Sequence, residues 1–269
     1  SLRINGGWHD AGDLSQGLVN TAESVYSMLS LAEELRDSEP ELSRRLLEEA
    51  QWGLDWMLKT RFGDGYRIVW STMDFWTDGI IGNVDDVPSE ARNDPHANFV
   101  AAKTEARAAQ LLKKKDPALA GYALQCAKED WSFAVGSNSN MNIELAGYAL
   151  NASLNLYEAT LNDKYKNAAL SYGNYILQCQ QQENLATNIS LKGFFYRDST
   201  REDILHYEHR GHEQEPVLGL VRLCEFFPEN ANAEKWQDPL RLSAANHRDI
   251  TDYTDPYFMI PAGIYALSK

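Results

Sequence analysis

The chain has 269 residues, which is enough for one large domain or two small ones, and it contains no Pro/Gly/Ser-rich linker. We therefore expect a single domain over residues 1–269. The formal net charge is −14 and the pI is about 4.8, which argues against nucleic acid or an anionic membrane as a partner. A neutral polymer would not be repelled. No stretch is long and apolar enough to insert into a membrane.

The three cysteines are widely spaced and form no CxxC pair. Cys126, Cys179 and Cys224 each lie in a helical apolar pattern, which predicts buried free thiols. The pattern supports neither a disulfide framework nor a zinc site. We expect no cofactor and no bound metal.

The first helices are predicted from apolar residues that repeat with a helical period. Asn20, with Glu23 three residues later, is typical of the cap of a first helix. Ser38 and Glu41 predict a second cap, and the second helix should end near Gly63. A short connection between these helices favours an antiparallel pair.

The periodicity is lost from Gly65 to Asn98, where acidic residues accumulate. A loop of this length inside a compact domain is usually functional or disordered. Trp76 is either a platform for a sugar ring or a residue that pins the loop down. The acidic residues lack the spacing and glycine of an EF-hand, so a solvated loop is favoured over a calcium site.

Helical pattern returns at Phe99–Lys115, and Asp116 with Pro117 predicts the start of the next helix. Further apolar stripes cover residues 145–159 and 165–179. No strand-like alternation of comparable length is found. The pattern is an array of helix hairpins, which suits an all-α fold of the α/α-toroid type.

The densest cluster of chemically useful residues near the start of the chain is Asn5–Asp13, which reads NGGWHDAGD. Asp10 and Asp13 lie three residues apart among glycines, which allow the backbone to turn tightly. Paired carboxylates can activate a water molecule in glycosidic bond cleavage. An Asx-turn or a helix cap is the alternative interpretation.

Residues Gly6–Asp13 resemble the GGW-[YH]-DAGD signature of glycoside hydrolase family 9, the cellulase-type inverting hydrolases built on an (α/α)6 barrel. Two further blocks, Leu46–Lys59 and Phe99–Ala109, are also similar to that family. The resemblance extends in order up to Tyr165. Six hairpins require twelve helices, whereas we count about eight or nine, so an incomplete toroid without some terminal segments is expected.

The resemblance implies roles for four residues of the motif. Asp13 would be the catalytic base, and Asp10 would help to hold the nucleophilic water. Trp8 and His9 would line the sugar site. The substrate would be a poly- or oligosaccharide, and the resemblance implies a secreted or periplasmic protein although no signal peptide precedes the motif.

A second dense stretch, Phe195–Pro216, precedes a helix that starts near Pro216. Glu213 or Glu215 is a candidate general acid if an apolar wall raises its pKa. A metal site formed by His209, His212 and Glu213 fits no standard spacing. A loop that leads into the helix, without a chemical role, is the alternative interpretation. The candidate sugar-binding side chains of this stretch are Tyr207, His209, Arg210 and His212.

The resemblance fails at the proton donor. In family 9 the general acid is a glutamate near the end of the catalytic domain, and Asp255–Gly263 contains no matching asparagine-glutamate element. The acid therefore lies elsewhere, or Glu213 or a neighbour replaces it, or the protein does not hydrolyse. An inverting hydrolase of β-linked glucan is the first hypothesis. The alternatives are a non-catalytic carbohydrate-binding relative and a toroid lyase or unsaturated-uronyl hydrolase that uses Tyr207, Arg210 and His212.

Overall fold

The computed structural model describes residues 6–10, 15–71, 80, 89–137, 140–185, 191–206, 214–230, 233–261 and 263–264. Several predicted site residues lie outside these ranges, so their positions are not described. They are Asp13, Trp76, Tyr207, His209, Arg210, His212 and Glu213.

The described ranges contain eight α-helices, four short strands and a 3-10 helix at Asp252–Thr254. The strands are β1 (Gln16–Gly17), β2 (Arg61–Gly63), β3 (Tyr66–Ser71) and β4 (Ser89–Asn93). The first four helices are α1 (Leu18–Glu34), α2 (Pro40–Lys59), α3 (Pro95–Leu112) and α4 (Pro117–Gly136). The others are α5 (Ile143–Thr160), α6 (Asp163–Gln178), α7 (Gln214–Phe226) and α8 (Ala233–Thr251). The predominance of helices confirms the expected all-α class.

The helices are grouped in two compact units. Unit 1 comprises Ser1–Ser139 and Asn155–Leu161, and unit 2 comprises Asn140–Leu154 and Asn162–Lys269. The single domain expected from the lack of a linker stays a prediction.

In unit 1, α1 packs on both α2 and α3, and α3 packs on α4. Helix α3 is rich in alanine and is buried around most of its circumference. Small side chains let neighbouring helices approach it closely. The interior of the unit also takes large residues from the flanking helices, among them Leu18, Val25, Leu29, Leu54, Trp56, Met57 and Phe99.

The region predicted as a loop from Gly65 to Asn98 contains strands instead. Strand β3 pairs antiparallel with β1, β2 and β4. The alternation that reveals a half-buried strand is missing because Arg67, Ile68 and Val69 are buried in succession, and the register with β4 shifts between Ile68 and Trp70. After β4, helix α3 begins at Pro95 rather than near Phe99, because the side chain of Asp94 caps it.

Two predicted helix caps are also corrected. Helix α1 is preceded by Gly17 and α2 by Glu39, and neither residue makes a side-chain capping bond. The cap predicted for α4 is confirmed. Asp116 accepts a bond from the amide of Leu119, and Pro117 occupies the first helical position.

Unit 2 has its own core between α5, α6, α7 and α8. It contains Leu150, Leu154, Ile176, Leu220 and Trp236. The predicted stripe of residues 165–179 lies on α6, where Tyr165, Ala169 and Ile176 are buried. The irregular segment 191–206 contributes Phe194, Phe195 and Tyr196 to the interior.

All three thiols are free, and Cys126 and Cys179 are buried whereas Cys224 is partly exposed. Burial raises the pKa of the Cys126 and Cys179 thiols to about 12, so both stay protonated at neutral pH. Among the described helices, none has the length and apolar character that crossing a bilayer requires.

Candidate active site

The described part of the NGGWHDAGD stretch is the first half of a loop that is closed at its base. The side-chain amide of Gln16 donates to the carbonyl oxygen of Gly6 at 2.7 Å. The backbone amide of Asp10 donates to the carbonyl oxygen of Ser15 at 2.6 Å. Strand β1 then pairs with the end of β3. The ends of the loop are therefore attached to regular structure.

Glycine is required at both positions that open the loop. Gly6 has φ +124° and Gly7 has φ +67°, a region that other residues rarely adopt. A Cβ atom on Gly7 would lie 2.2 Å from Nε2 of Gln16, so it would also disrupt the bond that closes the loop. The interpretation of the glycines as residues that turn the backbone tightly is consistent with this geometry.

Asp10 is exposed, and one of its oxygens is held by α1. The Nδ2 atom of Asn20 donates to Oδ1 of Asp10 at 2.5 Å. Helix α1 begins at Leu18, so Asn20 lies inside its first turn rather than at its cap, and its side-chain amide donates to the motif. A donor at this position fixes the orientation of the carboxylate.

Trp8 is half-buried, and its ring packs against α2. Its indole N–H donates to Oε1 of Glu49 at 3.0 Å, and a Cβ atom on Gly53 would be only 2.5 Å from its ring. His9 is exposed beside it. The structure thus places Trp8, His9 and Asp10 together at the start of the loop, and their contact with sugar stays a prediction. Asp13 lies outside the described residues.

Buried ion pairs attach the sheet next to the motif to the helices α3 and α4. The guanidinium group of Arg67 on β3 is fully buried, and it donates to Oδ2 of Asp130 at 2.9 Å and to Oε1 of Glu105 at 3.3 Å. Arg61 on β2 donates to the same Asp130 oxygen at 3.1 Å. These bonds fasten β2 and β3 to α3 and α4, and β3 in turn carries β1, which follows the motif.

One carboxyl group of this cluster is unusual. Glu105 is completely buried, and its Oε2 atom has no hydrogen-bond partner. Burial and the neighbouring Asp130 carboxylate raise the pKa of Glu105 well above its usual range, and Arg67 and Arg61 offset this only in part. The raised pKa favours the protonated form of Glu105, beside which two guanidinium groups face Asp130 and Glu129.

The second dense stretch belongs to unit 2, and the structure describes only its two ends. Glu215, near the start of α7, is buried and accepts a bond of 2.8 Å from Nδ2 of Asn151 on α5. Arg222 donates to Oδ1 of the same Asn151 at 3.2 Å. This network ties the beginning of α7 to α5. The five predicted site residues between positions 207 and 213 lie outside the described residues.

Within the described ranges, no group of three or more His, Cys, Asp or Glu side chains is arranged to hold a metal ion. Candidate ligands such as His209, His212 and Glu213 lie outside those ranges.

A family model, "Glycosyl hydrolase family 9", matches residues 1–254 of the chain. The chain belongs to this family. Endoglucanase D of Acetivibrio thermocellus is 30% identical over 161 residues, which cover 53% of this chain and 25% of that protein. Endoglucanase C of Cellulomonas fimi is 28% identical over 154 residues, which cover 49% of this chain and 14% of the other.

The family 9 fold is also found by structural similarity. The crystal structure of the cellulase Cel9M of C. cellulolyticum matches with a TM-score of 0.67 at 14% identity. The match covers 92% of this chain and 56% of the Cel9M chain. The fold class, an α/α toroid from the helix hairpins and of the (α/α)6 type from the resemblance, is thereby confirmed. This chain spans only about half of the solved relative and a quarter or less of the two curated ones.

Three residues near the motif were missed in the sequence. Asn20 was interpreted as a cap, and Glu49 and Trp52 were not singled out within the block Leu46–Lys59. The available signal was their location: Glu49, Trp52 and Trp56 recur at helical spacing on one side of α2, inside a block that resembles the family. Aromatic residues on an exposed helix face indicate that another segment packs there.

Proposed function

We propose that the protein hydrolyses a β-linked glucan or a related polysaccharide with inversion of the anomeric centre. The observation that carries the proposal is the GGWHDAGD stretch, Gly6–Asp13, inside a chain that matches the family 9 model over residues 1–254. Two curated relatives that are named endoglucanases support a glucan as the substrate class.

In the proposed reaction, Asp13 is ionised and takes a proton from water. The water oxygen attacks the anomeric carbon from the face opposite to the departing sugar. A proton donor on the other face protonates the glycosidic oxygen as the bond to carbon breaks. Asp10 holds the same water molecule in line for the attack, and Trp8 and His9 contact the sugar ring.

The contact between Asn20 and Asp10 supports this assignment. The bond from Asn20 fixes the orientation of the Asp10 carboxylate, as a group that holds a water molecule in line requires. The acidic surface of the protein does not oppose a neutral glucan.

The proton donor is proposed to be Glu213 or another carboxylic acid at a suitable distance. In an inverting pair the two carboxyl groups are about 6.5–9.5 Å apart, which leaves room for the water. Tyr207, His209, Arg210 and His212 are proposed to bind sugar hydroxyls. Trp76 is proposed as a stacking platform.

We infer that the protein acts outside the cytoplasm, in a secreted or periplasmic location, because a glucan polymer cannot enter a cell intact. No nucleic acid partner is proposed, since the net charge of −14 would repel one.

The proposal is tested by release of reducing sugar from neutral β-glucans and cello-oligosaccharides. Wild-type protein should show turnover, and Asp13→Ala should lose it while calorimetry still detects oligosaccharide binding. Asp37→Ala, which removes an exposed carboxylate after α1, is the control and should be as active as the wild type. A folded wild-type protein that binds oligosaccharide without turnover would contradict the proposal and favour a binding protein.

A further inference from the structure

The first half of the motif lies on one face of α2. Glu49, Trp52, Gly53 and Trp56 occupy positions i, i+3, i+4 and i+7 of this helix, so they share a side. Each of them contacts the segment Gly6–Trp8.

Two tryptophans connect the segment and the helix in opposite directions. The indole N–H of Trp8, in the motif, donates to Oε1 of Glu49 on α2 at 3.0 Å. The indole N–H of Trp52, on α2, donates to the carbonyl oxygen of Gly7 in the motif at 3.1 Å. An indole has a single donor and no acceptor, so each ring can make only one such bond and its orientation is thereby defined.

Close packing supports these two bonds. A Cβ atom on Gly53 would lie 2.5 Å from the ring of Trp8 and 2.5 Å from Val25 on α1. A Cβ atom on Gly6 would lie 3.0 Å from the Cβ atom of Trp56. Only glycine at both places allows the segment to lie this close to the helix.

We propose that Glu49 and Trp52 are positioning residues, which hold the segment Gly6–Trp8 on α2 through reciprocal indole hydrogen bonds and so place Asp10 for catalysis. The catalytic part of this inference rests on the proposed hydrolase function. The structural part, the pair of indole bonds, does not depend on it.

Because the side chains of Glu49 and Trp52 are exposed, a positioning role can be tested without a loss of folding stability. Trp52 is 46% exposed, and Glu49 is on the surface. Replacing either side chain therefore leaves the core of unit 1 intact. What is lost is the attachment of a segment that ends two residues before Asp10. A displacement of this carboxylate lowers kcat more than it weakens substrate binding.

Glu49 offers the most direct test, because one substitution removes only its charge and another also removes the oxygen that accepts the bond from Trp8. Glu49→Gln keeps an oxygen that accepts from Trp8 and should retain nearly wild-type kcat. Glu49→Leu removes the acceptor and should lower kcat about ten-fold, within the hundred-fold loss that a misplacement of about 1 Å can cause. KM and the melting temperature should change little. Glu48→Leu, on the neighbouring exposed position, is the matched control and should be unaffected.

Trp52→Phe tests the second bond, since it keeps an aromatic ring and removes the N–H. It should lower kcat to a similar extent as Glu49→Leu. The double variant should lose less than the product of the two single effects, because both bonds hold the same segment.

A second readout works without catalysis. In nitrogen-15 NMR spectra, the indole N–H of Trp8 should exchange slowly with solvent in the wild type and in Glu49→Gln, and faster in Glu49→Leu. Fast exchange of Trp8 in the wild type, or no difference between the two variants, would overturn the bonding scheme. If the scheme holds and the wild type hydrolyses glucan, an unchanged kcat in Glu49→Leu and Trp52→Phe would overturn the positioning role. A wild type without turnover would count against the proposed function instead, and the exchange rates would still decide the bonding scheme.

Discussion

Asp10 has a defined partner in the fold, which a carboxylate in an ordinary exposed loop lacks. The amide of Asn20 reaches it from the first turn of α1, and the backbone of the loop is closed below it by the bond to Ser15. A carboxylate that is held in one orientation can direct a water molecule without first losing its own rotational freedom.

Substituting Asn20 tests this orientation. Asn20→Ala removes the donor and should lower kcat about ten-fold with little change in KM, because the water is held less well in the transition state. Asn20→Asp should be more harmful, since two carboxylates in contact cannot both stay ionised. Steady-state kinetics on a cello-oligosaccharide measure both variants. Ser27→Ala, an exposed change on the same helix, is the control, and a drop in kcat no larger than in this control would contradict the role of Asn20.

At the residue scale, the sequence predicted which residue types the motif needs, but it did not predict which side chains bond to each other. The need for glycine at Gly6 and Gly7 follows from the close spacing of carboxylates and turn residues, and their positive φ angles agree with it. Asn20 was assigned to the wrong partner because a cap and a bond to a distant loop use the same side-chain chemistry. Local spacing does not distinguish these two uses.

Strand β3 is the element that connects the motif to the rest of unit 1. It pairs with β1, which follows the motif, and its buried Arg67 is bonded to Asp130 on α4 and to Glu105 on α3. Removing one partner of a buried ion pair is costly, because the remaining charge is left without compensation. Glu105 is the exception within the cluster, since burial and the Asp130 carboxylate raise its pKa and so disfavour its charged form.

The raised pKa of Glu105 predicts a pH-dependent stability. Its pKa is raised in the folded state, so its contribution is complete below its unfolded value of about 4.5 and is lost as the pH rises through the folded pKa. Glu105→Gln is a neutral substitute of the same shape. The free energy of unfolding of this variant, relative to wild type, should therefore increase between pH 5 and pH 8, by at most about 1.4 kcal/mol per pH unit.

Urea unfolding of both proteins across this pH range measures the difference. Glu34→Gln, which changes an exposed glutamate at the end of α1, should show no such trend. A difference between Glu105→Gln and wild type that stays constant from pH 5 to pH 8 would show that Glu105 is ionised throughout.

Elements with regular periodicity were predictable, and β3 was not. The helices from Pro117 to Gln178 follow apolar stripes and side-chain caps that are legible in the sequence. Strand β3 buries an arginine between residues of apolar type and has a register shift, so its sequence has no period of two. A charged residue in the interior becomes intelligible only when its partners, which are 38 and 63 positions away, are known.

At the scale of the whole molecule, the all-α class and the family follow from the order of the helix hairpins and from one motif. The sequence could not give the position of the proton donor, since the candidate Glu213 and the proposed base Asp13 are 200 positions apart and their separation depends on tertiary structure. The chain also spans about half of the solved relative Cel9M.

The most direct test of the proposed mechanism follows the anomeric configuration of the product. Proton NMR during hydrolysis of cellotetraose by the wild-type protein should show the α-anomer first, before mutarotation equilibrates it, and Asp13→Asn should produce neither anomer at a comparable rate. Early accumulation of the β-anomer would contradict the inverting mechanism. An unsaturated uronyl product from an acidic polysaccharide, with no cleavage of cellotetraose, would contradict the hydrolase function itself.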